Sequence, residues 1–368
     1  MRKVLVCGAA FAATCVSAVA VPVGAHANAP VPTPSASVPS VPPADGSGPS
    51  GGPETGVPGT GVPGTGSPSA SSPAQPENGQ GATDGEPDGT VTAQAVMVTP
   101  RLPKVRTYAY GRNAAQRIDA YWREPGPRAT PRPAVLLLHG GYWLEGDKAG
   151  GWKYFARRLT EEGFVVLSAN YRLAPQAQWP AQRNDAMSAL AFIKKHARVW
   201  NVDPNRVAVM GSSAGGQLAT QLGTFGTGTR QVRGVVALSP PNNPFLAFQD
   251  GAKPGALLNE RKLRRAVTGL VHCVPGLTAD PDCWTRLDDA STLTHVSAGD
   301  APMLLMHATG DFVPVTQSTG LASALRAAGV QATVKTIDGD MHASEMLEDE
   351  HTYPTILAWL KKLLNPGQ

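Results

Sequence analysis

The chain has few cysteines, few aromatic residues and little charge for its length. Of its 368 residues, 4 are cysteine, 6% are aromatic and 16% are charged, and the formal net charge is only +4. No basic run interleaved with aromatic residues is present, which argues against a nucleic-acid-binding protein. Because Cys7 and Cys15 fall in the first 27 residues, only Cys273 and Cys283 remain for the rest of the chain.

Residues 28–100 lack what a hydrophobic core requires. They contain no aromatic residue, no Lys and no Arg, and the sequence Gly-Val-Pro-Gly-Thr at 56–60 repeats at 61–65. Too little apolar surface is available to offset the loss of chain entropy on folding. We therefore predict a disordered linker rich in Pro, Gly, Ser and Thr. The sequence does not decide whether this linker is glycosylated or holds the domain away from a cell wall.

Residues 1–27 have the pattern of a secretory signal peptide. Arg2 and Lys3 precede an apolar run from Val4 to Val23, and Ala25-His26-Ala27 has the small residues of a cleavage site. The alternative is a retained membrane anchor, but Pro22 and Gly24 interrupt the run and no charged flank follows. We expect cleavage after Ala27, a secreted protein and no stable membrane insertion.

Residues 101–368 alternate between strand-like and helix-like segments. Continuously apolar runs, such as Ala134–Leu138 and Phe164–Ala169, predict strands buried on both faces. Further strands are predicted at 117–122, 206–211, 232–239, 303–307 and 333–337, and helices at 152–162, 182–200, 213–223, 317–328 and 353–364. This alternation predicts an α/β domain with a mostly parallel sheet flanked by helices.

Residues 242–298 interrupt the alternation and contain both remaining cysteines. Long insertions above an α/β sheet are often functional lids, so we predict a lid-like insertion here. In a secreted protein, a pair of cysteines at short spacing predicts a disulfide between Cys273 and Cys283. Two free buried thiols are the alternative.

The segment Gly211-Ser212-Ser213-Ala214-Gly215 fits the pattern Gly-x-Ser-x-Gly, between a valine-rich strand and a predicted helix. A sharp turn from strand to helix needs small neighbours and exposes the residue at its apex. We therefore predict Ser213 as a nucleophile, with Ser212 serving only local packing.

A serine nucleophile needs a base and an orienting carboxylate. His342 follows the last predicted strand and Asp311 follows the strand before it, so both are expected at the active edge of the sheet. We predict Ser213, Asp311 and His342 as the catalytic residues. The alternative for Asp311 is a helix N-cap, while His307 and His295 are expected only to pack or form hydrogen bonds.

The sequence His139-Gly140-Gly141-Tyr142-Trp143 follows a buried strand directly. Glycines let the backbone approach a substrate oxygen closely, so we predict an oxyanion hole from the N–H groups of Gly140, Gly141 and Ala214. Tyr142 and Trp143 are predicted to line the substrate pocket, although core packing is the default for aromatic residues.

These motifs, with Asn170-Tyr171-Arg172-Leu173-Ala174-Pro175 and Arg117-Ile118-Asp119-Ala120-Tyr121, resemble those of α/β-hydrolase-fold serine esterases. The acetylesterase and feruloyl-esterase-like branch (BD-FAE), near the hormone-sensitive-lipase group, is the most similar. The resemblance implies a carboxylic ester hydrolase that needs no metal or cofactor. It also implies short-chain acyl or acetyl esters as substrates, either small molecules or groups linked to plant polysaccharides. Tyr142 departs from the third glycine of the lipase group, and His-Gly-Gly-x-Trp also occurs in kynurenine formamidases, so an arylformamidase-like amidase is the alternative.

The linker is predicted to be dispensable for catalysis, because it offers neither core nor site residues. A chain beginning near Ala95 should hydrolyse a nitrophenyl ester with the kcat of the mature protein. A large loss of kcat in this shortened chain would show that the linker contributes to the fold or to the site.

Overall fold

The computed structural model describes residues 102–226, 228, 231–277 and 279–365. The predicted signal peptide and linker lie outside the described residues. Within them, eight strands form one sheet in the order β1-β2-β4-β3-β5-β6-β7-β8. The strands are β1 (Lys104–Ala109), β2 (Arg117–Trp122), β3 (Arg132–Leu138), β4 (Val165–Ala169), β5 (Val202–Ser212), β6 (Val235–Leu238), β7 (Met303–Ala308) and β8 (Ala332–Ile337).

Six neighbouring strands of the sheet, β4-β3-β5-β6-β7-β8, run parallel, as the alternation of strands and helices predicts. β2 pairs antiparallel with both β1 and β4, whereas the pairs β3–β4, β3–β5, β5–β6, β6–β7 and β7–β8 are all parallel. The carboxyl ends of the parallel strands therefore meet at one edge, where ligands bind in open α/β sheets.

The central strands are apolar because helices cover both faces of the sheet. Along β3, Leu136 and Leu138 point to one core cluster while Val135 and Leu137 point to the other. The eight α-helices of the described chain are α1 (Trp152–Glu161), α2 (Ala181–Lys195), α3 (Ala214–Thr224), α4 (Pro244–Asp250), α5 (Leu258–Val271), α6 (Cys283–Ala290), α7 (Thr316–Ala327) and α8 (Thr352–Leu364). Helices α1 and α8 pack on one face, and α2, α3, α5, α6 and α7 supply side chains to the cluster on the other.

One predicted helix is shorter in the structure, and one strand of the structure was not predicted. The long helix expected over 182–200 ends at Lys195, and a 3₁₀ turn (Ala197–Trp200) follows before Asn201 adopts a positive φ of 54°. Strand β1 was not predicted, because most of its side chains are exposed and its sequence lacks the apolar alternation of a strand with one buried face.

The insertion at 242–298 forms α4, α5, α6 and a 3₁₀ turn, and it packs against α2 and α3. The Trp179 N–H donates to the Leu270 carbonyl (2.8 Å), and Gln217 Nε2 donates to the Ala290 carbonyl (2.7 Å). Arg183 forms an ion pair with Asp289 at 2.9 Å. These contacts fix the insertion to the helices that follow β4 and β5.

The disulfide Cys273–Cys283 is present and joins the end of α5 to the start of α6. Both cysteines are buried, and the closed loop spans a sequence separation of only 10. Closing a short loop removes only a modest amount of conformational entropy from the unfolded chain. The disulfide is therefore expected to stabilise the fold by about 2–3 kcal/mol.

Replacing both cysteines by serine should lower the free energy of unfolding by about 2–3 kcal/mol, because the unfolded chain gains conformational freedom. Urea denaturation of the double variant and of the oxidised wild type measures this difference. Equal stability of the two proteins, or detection of both thiols in free form by mass mapping of the wild type, would contradict the assignment.

Candidate active site

Ser213 occupies a sharp turn between β5 and α3, with φ 49° and ψ −119°. A positive φ is costly for a residue with a side chain and persists only where the surroundings enforce it. Here the Ser213 N–H donates to the Leu238 carbonyl (2.7 Å) of the neighbouring strand. The first N–H groups of α3, beginning at Ala214, have no intrahelical partner and carry partial positive charge.

Glycines flank this turn because no side chain fits there. A Cβ atom at Gly211 would lie 2.0 Å from the Gly215 carbonyl oxygen, and one at Gly215 would lie 2.2 Å from that of Leu138. Both distances are far below any van der Waals contact. The two glycines of the Gly-x-Ser-x-Gly pattern are thus required because a side chain at either position would clash with the backbone. Their small size lets α3 pack against the end of β3.

Asp311 and His342 form a hydrogen-bonded pair. His342 Nδ1 lies 2.8 Å from Asp311 Oδ1, and the Asp311 side chain is completely buried whereas that of His342 is 19% exposed. The Val313 N–H donates to the same carboxylate oxygen (2.9 Å). With Nδ1–H donated to Asp311, the Nε2 lone pair of a neutral His342 is free to accept a proton.

Two hydrogen bonds fix the loop that carries His342. The His342 N–H donates to Glu345 Oε2 (2.8 Å), and the N–H of Ala343, which has a φ of 54°, donates to Ser239 Oγ (2.9 Å). Ser239 follows β6 and is fully buried. Neither Glu345 nor Ser239 was identified from the sequence, since no local motif marks a hydrogen bond between distant loops.

The loop after β3 lies against Ser213. A Cβ atom at Gly140 would lie 3.0 Å from the Ser212 carbonyl oxygen and 3.3 Å from Ser213 Cβ. Gly141, Tyr142 and Trp143 all have positive φ, of 112°, 58° and 61°. This run of left-handed residues turns the backbone sharply beside the serine.

The Asn170–Pro175 motif holds that loop in place. Asn170 Oδ1 accepts a hydrogen bond from the Lys148 N–H, the Tyr171 hydroxyl donates to the His139 carbonyl (2.8 Å), and the Ala174 N–H donates to the Trp143 carbonyl (2.8 Å). The Tyr171 ring also stacks on His139, with centroids 4.3 Å apart. The motif therefore positions the loop beside Ser213 from the neighbouring strand β4.

Three other histidines are held in place by packing or by hydrogen bonds. Burial lowers the pKa of His139, whose Nδ1 contacts the Gly140 carbonyl (2.8 Å). Burial also lowers the pKa of His307 to about 4, and its Nε2 lies 2.7 Å from Ser318 Oγ. His295 lies 3.4 Å from Asp289 in the insertion.

Trp143 does not line a substrate pocket, which corrects the prediction made for it. Its side chain is completely buried, and its Nε1–H donates to Gln217 Oε1 (3.2 Å) on α3. The positive φ at Tyr142 and Trp143 turns this indole into the core, a direction that sequence spacing does not reveal. Trp143 therefore anchors the loop rather than contacting the cavity.

Tyr142 does reach the cavity, as part of a stack of side chains beside His342. Its ring stacks on Phe312 at 6.1 Å, and Phe312 in turn lies 4.2 Å from the His342 ring. Lys262 of α5 lies 4.4 Å from the centroid of Tyr142 and pairs with Glu145 at 2.7 Å. The pKa of Tyr142 is raised mainly by burial of the side chain, and the negative charge of Glu145 raises it further.

A cavity of about 250 Å³ lies between these loops and is lined by Ser213, His342, Gly140, Gly141 and Tyr142 among others. Within the described residues, none of its lining residues belongs to the insertion at 242–298. Lys262 of α5 contacts Tyr142 in this wall from outside the cavity lining, so a lid role for the insertion stays a prediction.

The described residues contain neither a metal-binding cluster nor a membrane-spanning helix. No cluster of three or more His, Cys, Asp or Glu side chains is arranged to hold a metal ion. None of the described helices has both the length and the apolar composition needed to cross a bilayer.

Two family models match the chain. Residues 119–250 match the family described as BD-FAE, and residues 278–367 match the prolyl oligopeptidase family. The first range contains the loop after β3 and Ser213, and the second contains Asp311 and His342. The resemblance to the acetylesterase and feruloyl-esterase-like branch is thereby confirmed for the first range.

The chain is also similar to named esterases. It is 28% identical to Esterase LipC of Mycobacterium tuberculosis over 254 residues, which are 68% of this chain and 62% of that relative. It is 30% identical to the probable carboxylic ester hydrolase LipM of the same organism over 262 residues, which are 68% of this chain and 57% of that relative. The chain thus spans less than two thirds of the length of either relative.

Solved structures with the same architecture confirm the predicted fold. The carboxylesterase EstE1 from a metagenomic library superimposes with a TM-score of 0.61 at 24% identity, covering 73% of this chain and 92% of that chain. A truncated carbohydrate esterase from gut microbiota gives a TM-score of 0.59 at 21% identity, covering 71% and 96%.

The substitution Gly140→Ala should lower kcat for a nitrophenyl ester by about tenfold, because the added methyl group pushes the loop a few tenths of an ångström from Ser213. The matched control is Gly150→Ala, in the same cavity wall, where a Cβ meets only the Asp147 carbonyl oxygen at 3.5 Å. Steady-state kinetics should show a loss for the first variant and little change for the second. Equal kcat in both variants would contradict a catalytic role for this loop.

Proposed function

We propose that this chain, which has the fold of the α/β-hydrolases, is a carboxylic ester hydrolase with Ser213 as nucleophile, His342 as base and Asp311 as the carboxylate that orients His342. The observation that carries the proposal is the 2.8 Å contact of His342 with buried Asp311, at the edge of the cavity that Ser213 also lines. The esterases LipC and LipM, to which the chain is similar, support the reaction class.

The reaction begins with transfer of the Ser213 hydroxyl proton to His342 Nε2 as Ser213 Oγ attacks the ester carbonyl. Asp311 accepts the Nδ1–H of His342, which fixes the tautomer and stabilises the imidazolium that forms. His342 then returns the proton to the leaving alkoxide, so an alcohol departs and an acyl-enzyme remains. His342 then takes a proton from water as the water oxygen attacks the acyl carbon. The bond from that carbon to Ser213 Oγ breaks, His342 returns the proton to Oγ, and the carboxylic acid departs.

The negative charge that develops on the carbonyl oxygen needs preorganised donors. We assign this role to the N–H groups of Ala214, at the start of α3, and of Gly140 and Gly141, in the loop beside Ser213. The partial positive charge of the helix N-terminus favours an oxyanion there. The Ser213 N–H is not available, since it donates to the Leu238 carbonyl.

The size of the cavity favours short acyl groups. Its 250 Å³ lies below the range of about 300–1,000 Å³ that is usual for drug-sized ligands. Acetyl or other short-chain esters, free or linked to plant polysaccharides, are therefore the proposed substrates. An arylformamidase-like amidase is not favoured, because the similar named relatives are esterases. Export of the protein is proposed from residues 1–27 alone.

The substitution Ser213→Ala should lower kcat for a short-chain nitrophenyl ester by about 10⁴–10⁶-fold, since only the oxyanion donors and substrate binding remain. His342→Ala should cost nearly as much, and the double variant little more than either single one. Asp311→Asn should cost somewhat less, because the base survives in a poorly held tautomer. Steady-state kinetics with purified protein measures all four.

The matched control is Ser212→Ala, which removes the adjacent hydroxyl and should change kcat by no more than a few-fold. All variants should keep a melting temperature near that of the wild type, so that loss of kcat reports chemistry. Ordinary turnover by folded Ser213→Ala would refute the proposed nucleophile.

A further inference from the structure

A second cleft lies at the opposite edge of the sheet from Ser213. It has a volume of about 760 Å³ and is lined where β7 and β8 begin, at Met303 and Ala332. Asp311 follows the other end of β7, and six residues of strand span about 20 Å. The two cavities are therefore separate sites.

The cleft is positively charged. Arg233, Arg326 and Lys362 line it, and no Asp or Glu is among its lining residues. Within the part of the chain that the structure describes, none of these three cations forms an ion pair. A cleft with charge of one sign and low-dielectric walls attracts ligands of the opposite charge.

Arg326 is partly fixed in position. Its Nε–H donates to the Ala332 carbonyl (2.9 Å) at the start of β8. No hydrogen bond within the described residues uses the two terminal nitrogens of Arg326. Their N–H groups can therefore donate side by side to a carboxylate or a phosphate. Holding one end of the guanidinium reduces the entropy lost when a ligand binds the other end.

An aromatic ring lies in the same cleft. Trp359 of α8 is half-buried, and a Cβ atom at Gly234 would lie 2.6 Å from its Cη2 atom. The missing side chain at position 234 therefore makes room for the indole. Gln331 and Thr333 add an amide and a hydroxyl group to the lining, and both can exchange hydrogen bonds with the hydroxyl groups of a sugar.

We propose that this cleft binds an acidic sugar. Its carboxylate or phosphate group pairs with Arg233, Arg326 and Lys362, its ring packs on Trp359, and its hydroxyl groups contact Gln331 and Thr333. The volume lies within the range of about 300–1,000 Å³ of small-molecule sites and exceeds what a single inorganic ion needs. The proposal does not depend on the reaction at Ser213.

Isothermal titration calorimetry of the full-length protein at low salt tests this, with glucuronic acid, glucose 6-phosphate, glucose and inorganic phosphate as probes. At least one of the two acidic sugars should bind, and which one does separates a carboxylate from a phosphate ligand. Glucose and inorganic phosphate should each bind about tenfold or more weakly, and added salt should weaken binding of the acidic sugar.

The double variant Arg233→Gln/Lys362→Gln should weaken binding of that acidic sugar by about tenfold to 100-fold, without changing ester hydrolysis. The matched control is Arg265→Gln, an exposed arginine of α5 outside the cleft. Three outcomes would overturn the proposal: no binding of either acidic sugar, equal binding of glucose or of inorganic phosphate, or unchanged binding by the double variant.

Discussion

The turn between β5 and α3 is the constraint on which the rest of the site depends. Ser213 has a backbone conformation that few residues with side chains adopt, and Gly211 and Gly215 cannot carry a Cβ atom without a clash at 2.0 Å and 2.2 Å. The energy that holds this strained turn comes from the buried sheet on either side of it. In return, the turn places Ser213 in the wall of the small cavity that Gly140 and His342 also line.

The remaining loops reach that cavity from neighbouring strands, and each is fixed by contacts outside its own sequence. Tyr171 and Ala174 hold the loop after β3, and Ser239 holds the loop of His342. Such supporting hydrogen bonds keep reacting groups within a fraction of an ångström of their required positions. The site is therefore a product of strand order, since adjacent parallel strands end side by side at one edge.

The sequence was sufficient to predict the alternating strands and helices, because buried runs such as Ala134–Leu138 admit few other interpretations. The pairing of Asp311 with His342 was also predictable, since both follow adjacent strands. What sequence could not supply was the direction of individual side chains. Trp143 turns into the core because its φ is positive, and Phe312 and Lys262 meet Tyr142 across long sequence separations. Strand β1 could not be predicted because most of its side chains are exposed, so its sequence lacks the alternation of apolar and polar residues that marks a half-buried strand.

The central claim is that one serine, placed at the apex of a strained turn, is the nucleophile. Treatment with a serine-directed phosphonate ester, followed by proteolysis and mass mapping, tests it most directly because it reports a covalent bond at a single residue. We expect one label per chain on Ser213 in the wild type and none in Ser213→Ala. Label on Ser212, or equal labelling of the Ser213→Ala variant, would contradict the account.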